Sequence, residues 1–487
     1  MTLSGNPGRR TSPLVVLAVL ALVTLVLPRF VVADVVLLDA RCVDPGTGSI
    51  QPASVWIEGD VIRALGSPDG SDLGPGASDV PRLDLGGAHL LPGLVDLRVY
   101  GTVQRSPGHR DSLSADGARR LALASGVVAA LDVFSVSDAT GPEGAAWIGG
   151  APLLVARGAP EASFPSARPL DSPAMAINFL ETGRLADDRP LQVVFDGRYA
   201  LALGPETLGA LLDGAGRRPV AVQVRDWVDV RTALDHGVRW LVQIPDGPMP
   251  EDVRERIAGL GSELAWTPQV ALGLDFAAWA QADSLRDDPG LARVLPDTMR
   301  DDYARVRIPQ TRYGEVEQRK RILQAVMSLL QQSDTRLLAG SGAGAIGTAL
   351  GFSLARELEW WVELGIDPWR GLRAATVDAA AMIGRDCGWD VGAPADLVVV
   401  EVSPIESMAT LRAPTRVIRG GEVVDPVALA ATVVHRPFED LPENPIPGGG
   451  RVPMVVLLVI GFAVLLFLRR WVRRAAARAL AEDSATD

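Results

Sequence analysis

The chain runs to 487 residues, 48% of them apolar, with a formal net charge of −12. That length supports a barrel-sized domain plus a smaller one. Each end carries a net positive charge, leaving residues 34–450 near −18, an acidity that argues against nucleic acid or anionic lipid as partners.

The first apolar run, Leu14 to Leu27, comes after Arg9 and Arg10 and is broken by Pro28. It is short for a spanning helix and has the make-up of a signal-peptide core, with Val31-Val32-Ala33 where cleavage would fall. Residues 1–33 are therefore predicted to be a signal peptide or an N-terminal membrane anchor, and either would export the chain beyond residue 33. From Asp34 the pattern is short strands with turn signals: VVLLDARCVD, then ASVWIEGDVIRALG with Glu58-Gly59-Asp60 at a hairpin turn. After Leu91 apolar strand-like runs alternate with helical ones, beginning with a helix near Ser114 to Ser125 with Ser114 as its N-cap. The strand-like runs include VVAALDVF, LQVVFDG, PVAVQV, RWLVQIP, ELAWTPQV and RLLAG. That repetition predicts an α/β fold, a (β/α)8 TIM-like barrel over 88–385, with a charged helical insertion over 275–335. Strands return after Gly392, and 431–451 is a Pro- and Gly-rich linker.

The second apolar run, Val452 to Leu468, is uncharged and just long enough to span a bilayer. Arg469, Arg470, Arg473 and Arg474 come directly after it, so 469–487 is predicted to be a cytoplasmic basic tail. The expected arrangement is a cell-membrane protein, single- or double-pass, with its main domain extracytoplasmic (periplasmic or extracellular). The two cysteines, Cys42 and Cys387, are too few for a disulfide framework; one bridge between them is predicted.

Several segments carry a family resemblance. LPGLVDLRVY (91–100) resembles the end of the first barrel strand in the amidohydrolase superfamily, Leu-Pro-Gly-Leu-Ile-Asp-x-His-x-His. LLAGSGAG (337–344) resembles the eighth-strand motif, SLARELEWWVELGIDPWRGLRAATVDAAAMIG (353–384) the helices after it, and VGAPADLVVVE and RVIRGGEVVD the closing strands. The order matches the imidazolonepropionase and prolidase-like branch across about 34–430. The resemblance implies a barrel beside a β-sandwich built from 34–85 and 390–430. It also implies a metal-dependent hydrolase acting on carbon–nitrogen bonds.

The implied metal ligands are nevertheless replaced. Arg98 and Tyr100 stand at the first-strand histidines, Gln192 at the fourth-strand lysine, Gln223 and Gln243 at the fifth- and sixth-strand histidines, and Gly342 at the eighth-strand aspartate. A guanidinium and a phenol do not replace neutral imidazoles at a divalent metal, and the aspartate would also have been the general base. No metal and no cofactor is predicted. Of the histidines, His89, His236 and His435 fall away from the expected site, and only His109 lies on the barrel-mouth side. Gly342 to Gly347 formally matches G-x-G-x-x-G, but after the wrong strand; it reads as a close-packed turn opening a helix. Trp360 and Trp361 read as core.

Arg98 and Tyr100 need partners, for which Asp96, Gln223 and Gln243 are the natural candidates. The predicted pocket is Asp96, Arg98, Tyr100, His109, Gln223, Gln243 and Ser341. The preferred reading is a membrane-tethered, catalytically degenerate amidohydrolase-like protein that binds a small polar ligand or a membrane-protein partner. The alternatives are an active carbon–nitrogen hydrolase with a remodelled site, and a structural membrane subunit.

Overall fold

The computed structural model describes residues 34–437, apart from 102, 107, 109, 134–143, 149–152, 156–166, 183–189, 197–202, 282 and 306–312. Both predicted apolar end segments, 1–33 and 452–468, and the basic tail lie outside the described residues. Among the described residues no helix is long and apolar enough to cross a membrane.

The strands from the two chain ends share one sheet. Its order is Glu422–Val424, Arg416–Arg419, Leu397–Val400, His89–Pro92, Val35–Asp44, Ser49–Glu58 and Val61–Gly66, with Arg82–Asp84 also paired to Val35–Asp44. The hairpin at Glu58 to Val61 is present, with Gly59 at φ 63°. A two-sheet sandwich was the expectation; a single eight-stranded mixed sheet is what forms. The alternation of side chains explains it. Leu90, Leu397, Val399 and Ile418 bury one face with Leu37, Val55 and Ile57. Their neighbours Leu91, Val398, Val400 and Val417 point the other way, into the main core. That core takes the place of a second sheet on that face. The sheet also reaches Pro92, beyond the expected boundary at 85. Gly93 then makes the crossing, where a Cβ would lie 2.3 Å from the Val128 side chain.

Among the described residues, parallel strands come next: β1 (Leu94–Val99), β2 (Val127–Asp132), β3 (Leu153–Val155), which also pairs with Ala167–Pro169, β4 (Leu191–Phe195), β5 (Val220–Val224), β6 (Trp240–Val242), β7 (Ala265–Thr267) and β8 (Arg336–Leu337). They read as near-continuous apolar runs because both faces are buried. β1 pairs with β2, and β3 to β8 pair in sequence, all parallel. Backbone bonds join the two groups edge to edge: Leu97 N to Ala339 O (3.0 Å), Gly342 N to Arg98 O (2.8 Å) and Tyr100 N to Ala343 O (2.7 Å). A short strand, Ala146–Ile148, pairs with the other edge of β2. The helix Ala115–Ala124 is capped as expected, Gly117 N donating to Ser114 Oγ at 2.9 Å.

The insertion before β8 is helical, and its first helix, Val270–Gln281, is fastened to Phe352–Glu363 by buried acids. Glu357 is fully buried and accepts from Val270 N (2.9 Å), Ala271 N (2.6 Å) and the Trp361 indole (2.8 Å). Two of these donors are N–H groups of the helix's first turn, which have no partner within the helix. Asp275, also fully buried, accepts from Arg356 (2.9 Å) and from the Trp360 indole (2.7 Å). Trp361 is core, as read from the sequence; Trp360 packs at the core edge.

The predicted disulfide is absent. Cys42 and Cys387 are free thiols. Cys42 faces the end-sheet core, whereas Cys387 packs against the cluster around Val95 and Trp240. Burial pushes both thiols up to about 12, so neither is a ready thiolate.

Candidate functional site

Arg98 leaves β1 near its C-terminal end and is fully buried, an unusual place for a guanidinium. Its Nη1 donates to Gln192 Oε1 of β4 at 2.6 Å, and its Nη2 donates to Gln223 Oε1 of β5. Gln223 Nε2 donates onward to Gln243 Oε1 at 3.0 Å, which also accepts from Arg225 at 3.1 Å. Gln243 sits just past β6 with φ 71°, a left-handed conformation uncommon outside glycine. The guanidinium also lies 5.5 Å from the centre of the Tyr100 ring. Five of the six substituted positions are thus linked through one cation. The placement of Gln192, the least constrained by motif, is the one that Arg98 meets through Nη1.

The sixth position, Gly342, lies past β8 with φ 66°, and a Cβ there would stand 2.8 Å from Gln269 Nε2. Gln269 comes shortly after β7 with φ 54° and is 4% exposed. Sequence reading passed over Gln269; the signal available was an amide two residues beyond an apolar strand. It also passed over Arg225, and over Asp132, whose carboxylate accepts from the Trp147 indole at 2.6 Å.

Asp96 departs from its expected role. Its carboxylate does not pair with the Arg98 guanidinium; it accepts from the Arg98 backbone N–H (3.1 Å), the Ser341 N–H (2.9 Å) and the Ser341 hydroxyl (2.5 Å). Asp96 and Arg98 are two apart on β1, but the carboxylate turns along the strand toward the turn after β8. Asp96 therefore fastens β1 to the segment carrying Ser341 and Gly342. Burial pushes its carboxyl up to about 6, against the three donors that pull it down. Well below pH 4 the group is protonated whether the chain is folded or unfolded; as pH rises the unfolded chain ionises first. Stability present at low pH is lost as pH climbs to about 6, by about 3 kcal/mol, and is level above that. Denaturant unfolding at pH 4 and 6.5 should show about 2 kcal/mol more loss in the wild type than in Asp96→Asn, because at pH 4 the unfolded chain has already begun to ionise.

The other predicted features separate from this cluster. His109 lies outside the described residues. His89 is buried in the end sheet, His236 caps the helix Trp227–Asp235, and His435 approaches Asp111 at 3.5 Å. The glycines at 342, 344 and 347 form a close-packed turn, and Gly347 N donates to the Tyr303 hydroxyl at 2.8 Å. The next helix begins only at Phe352, so this turn supplies no helix N-terminus for a phosphate. A groove of about 550 Å³ on the end sheet, lined by Leu83, Gly87, Val399 and Arg416, shares no residue with the Arg98 cluster.

No family profile matches the sequence, and no curated protein does. Solved structures do match. A Xaa-Pro dipeptidase with methionine bound in its active site superimposes with TM-score 0.58 at 17% identity, covering 81% of this chain and 100% of that one. Molinate hydrolase matches with TM-score 0.57 at 18% identity, over 81% and 95% of the two chains. The ochratoxinase of A. niger matches with TM-score 0.56 at 17% identity, over 81% and 96%. The chain has an amidohydrolase fold.

The amidohydrolase fold raises the question of a metal, and the donor set does not fit one. The positions that would hold it carry a guanidinium, a phenol, three carboxamides and a glycine. The Arg98 guanidinium occupies the space between Gln192 and Gln223. A divalent ion about 4 Å from it would meet roughly 4 kcal/mol of repulsion per unit of ionic charge at an intermediate dielectric. Among the described residues no group of three or more His, Cys, Asp and Glu side chains is placed to hold a metal ion.

Proposed function

We propose that this protein is a non-hydrolytic member of the amidohydrolase fold, retained for binding, with β1 to β8 closed into a barrel and its body tethered to a membrane through Val452 to Leu468. The observation that carries the reading is the Arg98 guanidinium bonded to Gln192 and Gln223. Hydrolysis of a C–N bond on this scaffold needs an activated water and a base to take its proton. Asp96, the carboxylate closest to Arg98 in sequence, is engaged by three donors and faces the Ser341 turn. A guanidinium presents N–H donors and no acceptor, so Arg98 offers no base. The cluster offers hydrogen bonding and one positive charge, which suits recognition of a small polar ligand.

Tethering rests on the apolar run and the arginines behind it, which favour an extracytoplasmic body and a cytoplasmic C-terminus. A membrane-protein partner is compatible with that placement. The test of the non-hydrolytic reading is catalytic. The full chain, incubated with Xaa-Pro dipeptides, N-acyl amino acids and thiocarbamates, with and without added zinc or manganese, should show no turnover above buffer. Metal-stimulated hydrolysis of any of these, abolished by a chelator, would overturn the reading in favour of an active hydrolase with a remodelled site.

A further inference from the structure

We propose that the Arg98 cluster is a binding site for a small monocarboxylate, an inference that rests on the non-hydrolytic reading above. A buried guanidinium normally meets a carboxylate, because an uncompensated charge in the interior is expensive. Arg119, equally buried, has Asp116 at 3.0 Å. Arg98 has only the neutral oxygens of Gln192 and Gln223, and among the described residues no carboxylate stands within ion-pair distance of its guanidinium. Among the described residues, then, the guanidinium has no anionic partner.

The donors around it are in surplus. Arg98 Nε and Gln192 Nε2 are buried without a hydrogen-bond partner, and Gln269 lacks one at both Nε2 and Oε1. Such orphaned buried groups are rare in native proteins and call for a specific explanation. Three donors against one acceptor is the signature of a site for an acceptor-only ligand. A carboxylate supplies two oxygens in the plane that an arginine and adjacent amides recognise. Gly342 packs against this amide: a Cβ there would stand 2.8 Å from Gln269 Nε2, so the position takes only glycine. Arg98, Gln269 and Gly342 sit near or just beyond the C-terminal ends of parallel strands, where folds of this kind bind ligands, while Gln192 reaches Arg98 from the start of β4.

Charge decides between anions. A single cation is balanced by a monoanion. A phosphate dianion carries one charge more than the Arg98 guanidinium balances. Monocarboxylate is accordingly the class the site takes.

Calorimetric titration of the full chain with acetate, and separately with inorganic phosphate and chloride at matched ionic strength, tests this. Acetate should bind saturably at one site per chain, with phosphate and chloride at least 10-fold weaker. Arg98→Met should weaken acetate at least 10-fold and Gln269→Leu several-fold. Gln192→Leu, which keeps the guanidinium, should also weaken it and serves if Arg98→Met does not fold. No saturable acetate binding, tighter binding of phosphate, or unchanged acetate affinity in the variants that fold would overturn the proposal. Metal-stimulated hydrolysis by the same preparation would instead sink the non-hydrolytic reading, whatever the acetate isotherm shows, so the two failures are distinguishable.

Discussion

Glu357→Ala is expected to destabilise the protein by about 4 kcal/mol or more. The carboxylate is fully buried and three donors converge on it: Val270 N–H, Ala271 N–H and the Trp361 indole. Truncation leaves all three unpaired inside the protein, at about 1–3 kcal/mol each. Burial pushes the carboxyl up to about 8, against the three donors that pull it down. Glu357→Gln keeps one oxygen acceptor and replaces the other with an NH2. Its carbonyl oxygen can still serve Val270 and Trp361, but its NH2 faces the Ala271 donor, so a loss of about 2 kcal/mol is expected. Denaturant unfolding should rank wild type above Gln above Ala. Equal stability of all three would show that Glu357 does not hold the start of the helix Val270–Gln281.

Asp275→Ala should cost a further class of interaction, at about 3–5 kcal/mol. It strips one carboxylate from Arg356, whose side chain is 12% exposed and keeps Glu359 and the face of the Trp360 ring, and it orphans the Trp360 indole N–H. Arg356→Met in the same background should recover part of the loss, because it removes the charge left without Asp275. A double-mutant cycle measures the coupling, expected at about 1 kcal/mol or more; a coupling near zero would reduce the pair to a bystander.

Phe352–Glu363 lies where the resemblance implied helices, over 353–384, whereas Val270–Gln281 begins ahead of the charged insertion expected over 275–335, at the end of a run read as strand-like. The apolar runs that became β1, β2, β4 and β5 were legible because they are local, as was the hairpin at Gly59, where turn chemistry leaves few choices. The single end sheet was harder to read. Alternation along Leu397–Val400 showed two apolar faces but not that one of them would meet the main core. The cysteines show the same limit: both fall near the chain ends, yet they point into different clusters.

At the site, the substituted residues could be found one by one from motif positions. Their mutual bonding could not, because Arg98 reaches Gln192 and Gln223 across 94 and 125 residues of chain. Gln269 escaped notice for a related reason. Nothing local marks an amide as the group that lies where a side chain at Gly342 would extend. Asp96 shows the converse error, since two residues close in sequence on one strand turned to different partners.

Metal analysis of the full-length protein, purified without chelators, decides whether the Arg98 guanidinium has taken the place of an ion. With Arg98 bonded between Gln192 and Gln223, zinc, manganese and iron are expected far below one equivalent per chain, with no change in melting temperature on adding them. One or two equivalents of tightly held metal, released only by chelation and with a fall in melting temperature, would contradict it.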